Sequence, residues 1–197
     1  MAGCEVKRAG WLILFALLCA CSKAPQTPAE FKVRLDTTKG PIVIEVHREW
    51  APNGVDRFYE LVKSGYYDEA RFFRVVPNFV VQWGINKDPK VSRQWNQNYI
   101  SDDPVKESNR RGYITYAKRG PDTRTTQLFI NLADNVSLDA TGFAPFGKVI
   151  EGMEVVQNLY SGYGQTPQQD LIQLQGNGYL QSQFPQLDYI KTARVVQ

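Results

Sequence analysis

Residues 71–85 read RFFRVVPNFVVQWGI: two apolar runs, 72–76 and 79–83, joined by the turn signal Pro77-Asn78, with Arg74 set between Phe73 and Val75. Runs this short, rich in valine and phenylalanine and bounded by a turn, predict two strands of one hairpin. Arg74 is the anomaly, because a guanidinium keeps its proton at any ordinary pH. It is either paired at a strand edge, with Glu60 or Asp68 as its partner, or placed there for chemistry.

Working outward, the same short-strand rhythm recurs. Phe31, Val33 and Leu35 alternate with polar residues, Lys39-Gly40-Pro41 marks a turn, and Ile42, Ile44 and Val46 continue as a second strand. Val55, Phe58, Leu61 and Val62 then fall at helical spacing, with Gly65 as the stop. Downstream, 86–111 reads as polar and irregular, GYITYAK (112–118) and QLFINL (127–132) read as strands, and FGKVIEGMEVVQNLY (146–160) as a strand followed by a short helix. Thr166-Pro167 reads as a cap with proline in the first turn, opening two short helical pieces separated by Gly176. DYIKTARVV (188–196) closes the chain as a strand. Many short strands and two principal helices without a βα rhythm predict a mainly β fold, a closed antiparallel barrel capped by helices.

The first thirty residues differ in kind. Lys7 and Arg8 precede an apolar run, 11–20, and small residues around cysteine follow, so 1–20 reads as a secretory signal peptide. As a helix that run is about 15 Å long, roughly half a bilayer's hydrocarbon core. Leu18-Cys19-Ala20-Cys21 resembles a bacterial lipobox, which makes Cys21 the expected lipidation site and its lipid the only membrane contact. Ser22 after it favours the outer membrane, on the periplasmic side of the envelope. Residues 21–30 form a proline-containing tether, and 31–197 form one domain.

All three cysteines, Cys4, Cys19 and Cys21, lie in this segment, so a disulfide-based domain is excluded. The formal charge of +3, or +2 without the leader, is too small to argue for nucleic acid. His47 is the only histidine and reads as a strand-surface residue, which leaves a histidine-activated nucleophile unsupported. With one histidine and no thiol in the domain there is no recognisable metal ligand set, and no glycine loop follows a strand to cradle a phosphate. No cofactor is expected. What remains is a cation in an aromatic, apolar setting.

FFRVVPNFVVQWG (72–84), TQLFIN (126–131) and FAPFGKVIEGMEVV (143–156) resemble, in order, three signature blocks of the cyclophilin-type peptidyl-prolyl cis-trans isomerases. The resemblance spans roughly residues 31–160. It implies an eight-stranded antiparallel barrel with two helices closing its ends and a groove on one face that takes proline-containing polypeptides. The tail from Ser161 exceeds what a minimal member needs, so a helical insertion before a last barrel strand is expected. Position by position, the resemblance makes Arg74 the catalytic arginine and Gln82 the glutamine that orients it. Phe79, Val80, Phe129 and Leu138 become the proline-holding wall, Ala117 the groove floor, and Gln127 the start of the third matching strand; Phe143 belongs to the same substrate-binding set.

Departures from the pattern are Val80 for a methionine, Ser137 for a tryptophan, and Phe73 and Phe143 for histidines. The missing tryptophan implies weak cyclosporin binding. Trp83, where a small residue is common, reads as packing. Without the resemblance, Phe79, Leu138, Phe129 and Phe146 read as barrel core. The implied activity is acceleration of Xaa-Pro isomerisation in exported proteins by a monomeric, lipid-anchored folding helper; the rival reading is a non-catalytic module holding proline segments in the same groove.

Overall fold

The computed structural model describes residues 27–196, together with Met1 and Gly3; the signal peptide, Cys21 and most of the tether lie outside the described residues. Eight strands form one antiparallel sheet: β1 (Glu30–Thr37), β2 (Gly40–His47), β3 (Arg74–Val76), β4 (Val80–Trp83), β5 (Tyr113–Tyr116), β6 (Leu128–Asn131), β7 (Pro145–Glu151) and β8 (Ile190–Val196). The order across it is β3-β4-β6-β5-β7-β2-β1-β8. The sheet curls until its edges meet just ahead of β3 and β8, at the Arg71–Tyr189 bridge. Phe72 N–H donates to Asp188 O at 3.0 Å and Ile190 N–H to Ala70 O at 2.9 Å, so closure rests on these short contacts. Arg71 reinforces it, donating from Nη1 to Leu187 O at 3.0 Å with its guanidinium over the Tyr189 ring.

The interior is filled by one face of each strand, as a period of two requires. Val33, Leu35, Ile42, Ile44, Val75, Val81, Trp83, Ile114, Tyr116, Leu128 and Ile130 are buried in a single core. Helix α1 (Pro52–Lys63) seals it with the expected Val55, Phe58, Leu61 and Val62. Its orphan N–H groups are satisfied from a distance, since Asp103 accepts from Asn53 N at 3.0 Å and Gly54 N at 2.9 Å. The second expected helix, α3 (Met153–Gln157), has only five residues and packs on β2.

The segment read as irregular contains a further helix, α2 (Pro89–Trp95), whose Asp88 side chain accepts from Lys90 N. Asp88-Pro89 is a start signal in its own right, a side-chain cap followed by proline at the first position. The tail forms α4 (Gln169–Gln175) and α5 (Asn177–Gln183) ahead of β8, as an insertion requires. Its first helix begins two residues later than Thr166-Pro167 suggested, because Gln168 is extended at φ −83°, ψ 115°. Gly176, at φ +60°, separates the two; a Cβ there would lie 2.1 Å from Lys87 O, so only glycine lets the insertion rest against the start of α2. No helix among the described residues is long and apolar enough to cross a membrane.

Candidate active site

The residues that do not point into the barrel build the site. Register sets Arg74 on β3 opposite Gln82 on β4, and Gln82 opposite Phe129 on β6, so one lateral row carries a cation, an amide and an aromatic ring on the outer face. Val80, two residues before Gln82, and Gln127, two before Phe129, fall on the same face by alternation. Asn78 takes φ +58° in the β3–β4 turn, a conformation asparagine tolerates, and the turn leaves Phe79 beside the row. Gly84, at φ +110°, lets β4 end against Thr126, whose carbonyl oxygen a Cβ would meet at 2.4 Å.

Arg74 Nη1 donates to Gln82 Oε1 at 3.1 Å, and Gln82 Nε2 donates to Gln127 Oε1 at 2.8 Å. Gln82 is buried, so this relay fixes its amide orientation and, through it, the guanidinium. The Arg74 guanidinium also lies over the Phe79 ring, 5.5 Å from its centroid. Burial pulls Arg74 down from arginine's ordinary pKa. Among the described residues no carboxylate compensates it: Glu60 pairs with Arg57 and Asp68 with Arg194. Neither acidic residue of the edge-strand alternative is paired with Arg74. The cation is half-buried, held at one end by a neutral amide, and its remaining donors have no partner among the described residues.

All the expected site residues of the domain line one groove of about 1060 Å³: Arg74, Gln82, Phe79, Val80, Ala117, Gln127, Phe129, Leu138 and Phe143. Phe129 and Phe143 meet edge to face at 5.9 Å. Leu138 sits in a 3-10 helix, Val136–Thr141, and this segment is pinned from below. Asp139 accepts from Ser108 Oγ, from Asn109 N at 2.9 Å and from Asn109 Nδ2 at 2.7 Å, while Asn109 Nδ2 also donates to Phe143 O at 2.8 Å. Burial pushes the Asp139 carboxyl up, but the Ser108 and Asn109 hydrogen bonds outweigh it and hold it below the usual carboxylate range. Ser137, in the same 3-10 helix, is exposed and does not line the groove.

Sequence reasoning missed Asn109 and Asp139, which act through contacts 30 residues apart. It also missed the far side of the groove, formed by Tyr99, Lys118, Arg119 and residues of α4. Lys118 is held by Asp102 at 2.7 Å and lies 5.4 Å from the Phe143 ring centroid. Arg124 binds Asp102 at 3.1 Å and Asp103 at 3.0 Å, fastening this wall to the residues that cap α1. Phe73 is buried away from the groove, against the insertion. Trp83 is a core residue, edge-on to Phe72. His47 stands at the end of β2 between Glu30 and Glu45, away from the groove, with its ring stacked on Trp50 at 4.1 Å.

The groove thus sets a cation braced by amides beside an apolar notch, an arrangement that can hold an apolar ring and direct a fixed donor at a neighbouring amide. The family model described as cyclophilin type peptidyl-prolyl cis-trans isomerase matches residues 32–176. A peptidyl-prolyl cis-trans isomerase of Acinetobacter baylyi is 36% identical over 156 residues, covering 75% of this chain and 79% of the relative. Peptidyl-prolyl cis-trans isomerase A of Dickeya dadantii is 36% identical over 154 residues, covering 72% and 77% respectively. The crystal structure of a Cryptosporidium parvum cyclophilin superposes with a TM-score of 0.65 at 24% identity, covering 85% of this chain and 98% of that one. The chain belongs to the cyclophilin-type peptidyl-prolyl cis-trans isomerases. Its activity is the isomerisation of peptide bonds preceding proline, and its substrates are proline-containing polypeptides.

Proposed function

We propose that Arg74 is the catalytic donor of this isomerase, that Gln82 positions it, and that Phe79, Val80, Phe129, Leu138 and Phe143 hold the proline ring, with Ala117 and Gln127 lining the path of the chain. Amide resonance opposes rotation about the Xaa-Pro bond with a barrier of roughly 18–20 kcal/mol. Twisting breaks that resonance and returns a lone pair to the proline nitrogen. A fixed donor aimed at this nitrogen therefore binds the twisted state more tightly than either planar isomer. Arginine meets the requirement because it stays protonated and can reach the nitrogen and a neighbouring carbonyl with one planar fork.

The observation that carries the assignment is the row Arg74–Gln82–Gln127, which leaves the guanidinium free of carboxylates beside the Phe79 and Phe129 rings. One charge-assisted hydrogen bond made only in the twisted state is worth about 1.5–3 kcal/mol, or about 10- to 150-fold in rate. In a short Xaa-Pro peptide assay, Arg74→Ala is expected to lose that much in kcat/KM while keeping its fold. Equal rates for wild type and variant would refute the role.

The reading extends to the envelope: a lipid-anchored monomer on the periplasmic side, the outer membrane favoured, acting on exported proteins as they fold. Its support is the sequence, a basic and apolar leader ending in Leu18-Cys19-Ala20-Cys21. Metabolic labelling with a fatty acid tests the anchor. Wild type should incorporate label and Cys21→Ala should not; label in the variant excludes this site.

A further inference from the structure

The groove continues past the proline-holding wall to Tyr99 and to residues 167–174 of the C-terminal insertion. α4 is docked by a small core of its own, in which Phe73 and Ile85 of the barrel side bury Ile172, Leu180 and Leu187. With Ile172 turned inward, Gln169, Asp170, Gln173 and Leu174, spaced three and four apart, share the opposite face and line the groove. Leu174 is 63% exposed, and Tyr99, across from it in residues 96–99, is 56% exposed. These are two of the few large apolar side chains that the described fold leaves uncovered, and both stand on this one groove. Gln173 adds a polar signal, since its Oε1 is buried without a hydrogen-bond donor among the described residues. The Arg119–Asp170 pair, 3.2 Å, joins the two walls at the rim, where both side chains are largely exposed.

We propose that α4 and residues 96–99 form a second subsite, which takes an apolar side chain of the same polypeptide several residues away from the proline. Leu174 and Tyr99 cover the side chain, and the Gln173 amide, with its Oε1 turned inward, donates from Nε2 to a backbone carbonyl of the extended segment. The occupant follows from continuity: the subsite opens into the proline groove, so the chain already held there runs into it. The inference rests on the assignment of that groove to the proline segment. Its consequence is selection of clients by unfolded, apolar flanks, in addition to the proline itself.

The test uses the full chain and two sets of peptides with one Ala-Pro centre. One is a tetrapeptide; the others are decapeptides carrying a single leucine among serines, moved through each position on either side of the proline. Wild type should favour leucine at one or two flank positions by about 5- to 10-fold in kcat/KM, expressed in KM, the size expected for partial burial of one such side chain. In Tyr99→Ser/Leu174→Ser that preference should fall below about 2-fold, with the tetrapeptide rate unchanged. Gln173→Ala should raise KM for the favoured decapeptide and leave the tetrapeptide alone. Wild type that accelerates the tetrapeptide without any flank preference overturns the subsite alone, as does a preference that survives the double variant. Wild type that fails to accelerate the tetrapeptide overturns the groove assignment and the subsite with it.

Discussion

In the proposed mechanism Arg74 works because of what does not touch it among the described residues. A carboxylate partner would lower its cost of burial but occupy the donors that a twisted amide needs, and Gln82 holds it with one neutral bond instead. Gln82→Ala should therefore leave the cation present but loosely aimed, lowering kcat by about 5- to 50-fold with less effect on peptide affinity, a split read by full Michaelis–Menten analysis. Asp139 works one step further back, beneath Leu138 and Phe143. Its native carboxyl lies below the ordinary value, so the stability it contributes is complete above about pH 4 and is lost as pH falls through the lower folded value. Denaturation of wild type and Asp139→Asn should differ by a constant amount from about pH 5 to 8 and converge in more acid solution. A difference that widened on acidification would contradict the anchor. Arg74, Phe79 and Phe129 were legible in sequence because their blocks are local; Asn109 and Asp139 were not, because a satisfied asparagine or aspartate looks the same in sequence wherever it points.

At the scale of elements, alternation predicted β1, β2, β5 and β8, while β3 and β4 read as short apolar runs on either side of a turn; within every strand successive side chains still point to opposite faces. The same rule divides β4 into Val81 and Trp83 for the core and Val80 and Gln82 for the groove. Helix α2 carried a readable Asp88-Pro89 start, but its short, polar sequence offered little periodicity to set against it. The insertion was legible as helices, while its approach to the groove depends on Gly176 fitting against Lys87 and on Phe73 facing outward from the barrel. Phe73, which replaces the histidine of the family pattern, is thus an anchor for α4 and α5. Phe73→Ala should cost about 3 kcal/mol of stability by chemical denaturation, through a cavity between the barrel and the insertion. A variant as stable as wild type would show that the insertion is held elsewhere.

The whole molecule couples a rigid wall to an open groove. The sheet closes through Arg71 and Tyr189, Asp103 joins the cap of α1 to Arg124, and Asp102 joins Arg124 to Lys118 on the groove. The site is thereby set into the closed barrel, as discrimination between planar and twisted amides demands. The central claim is that Arg74 stabilises the twisted state and not the bound peptide. Two-dimensional NMR exchange on a saturating Xaa-Pro peptide measures both quantities at once, the on-enzyme rate of cis-trans interconversion and the affinity. For Arg74→Ala the rate should fall by about 10- to 150-fold while the Kd changes by less than about 3-fold. An unchanged rate accompanied by a comparable loss of affinity would contradict it.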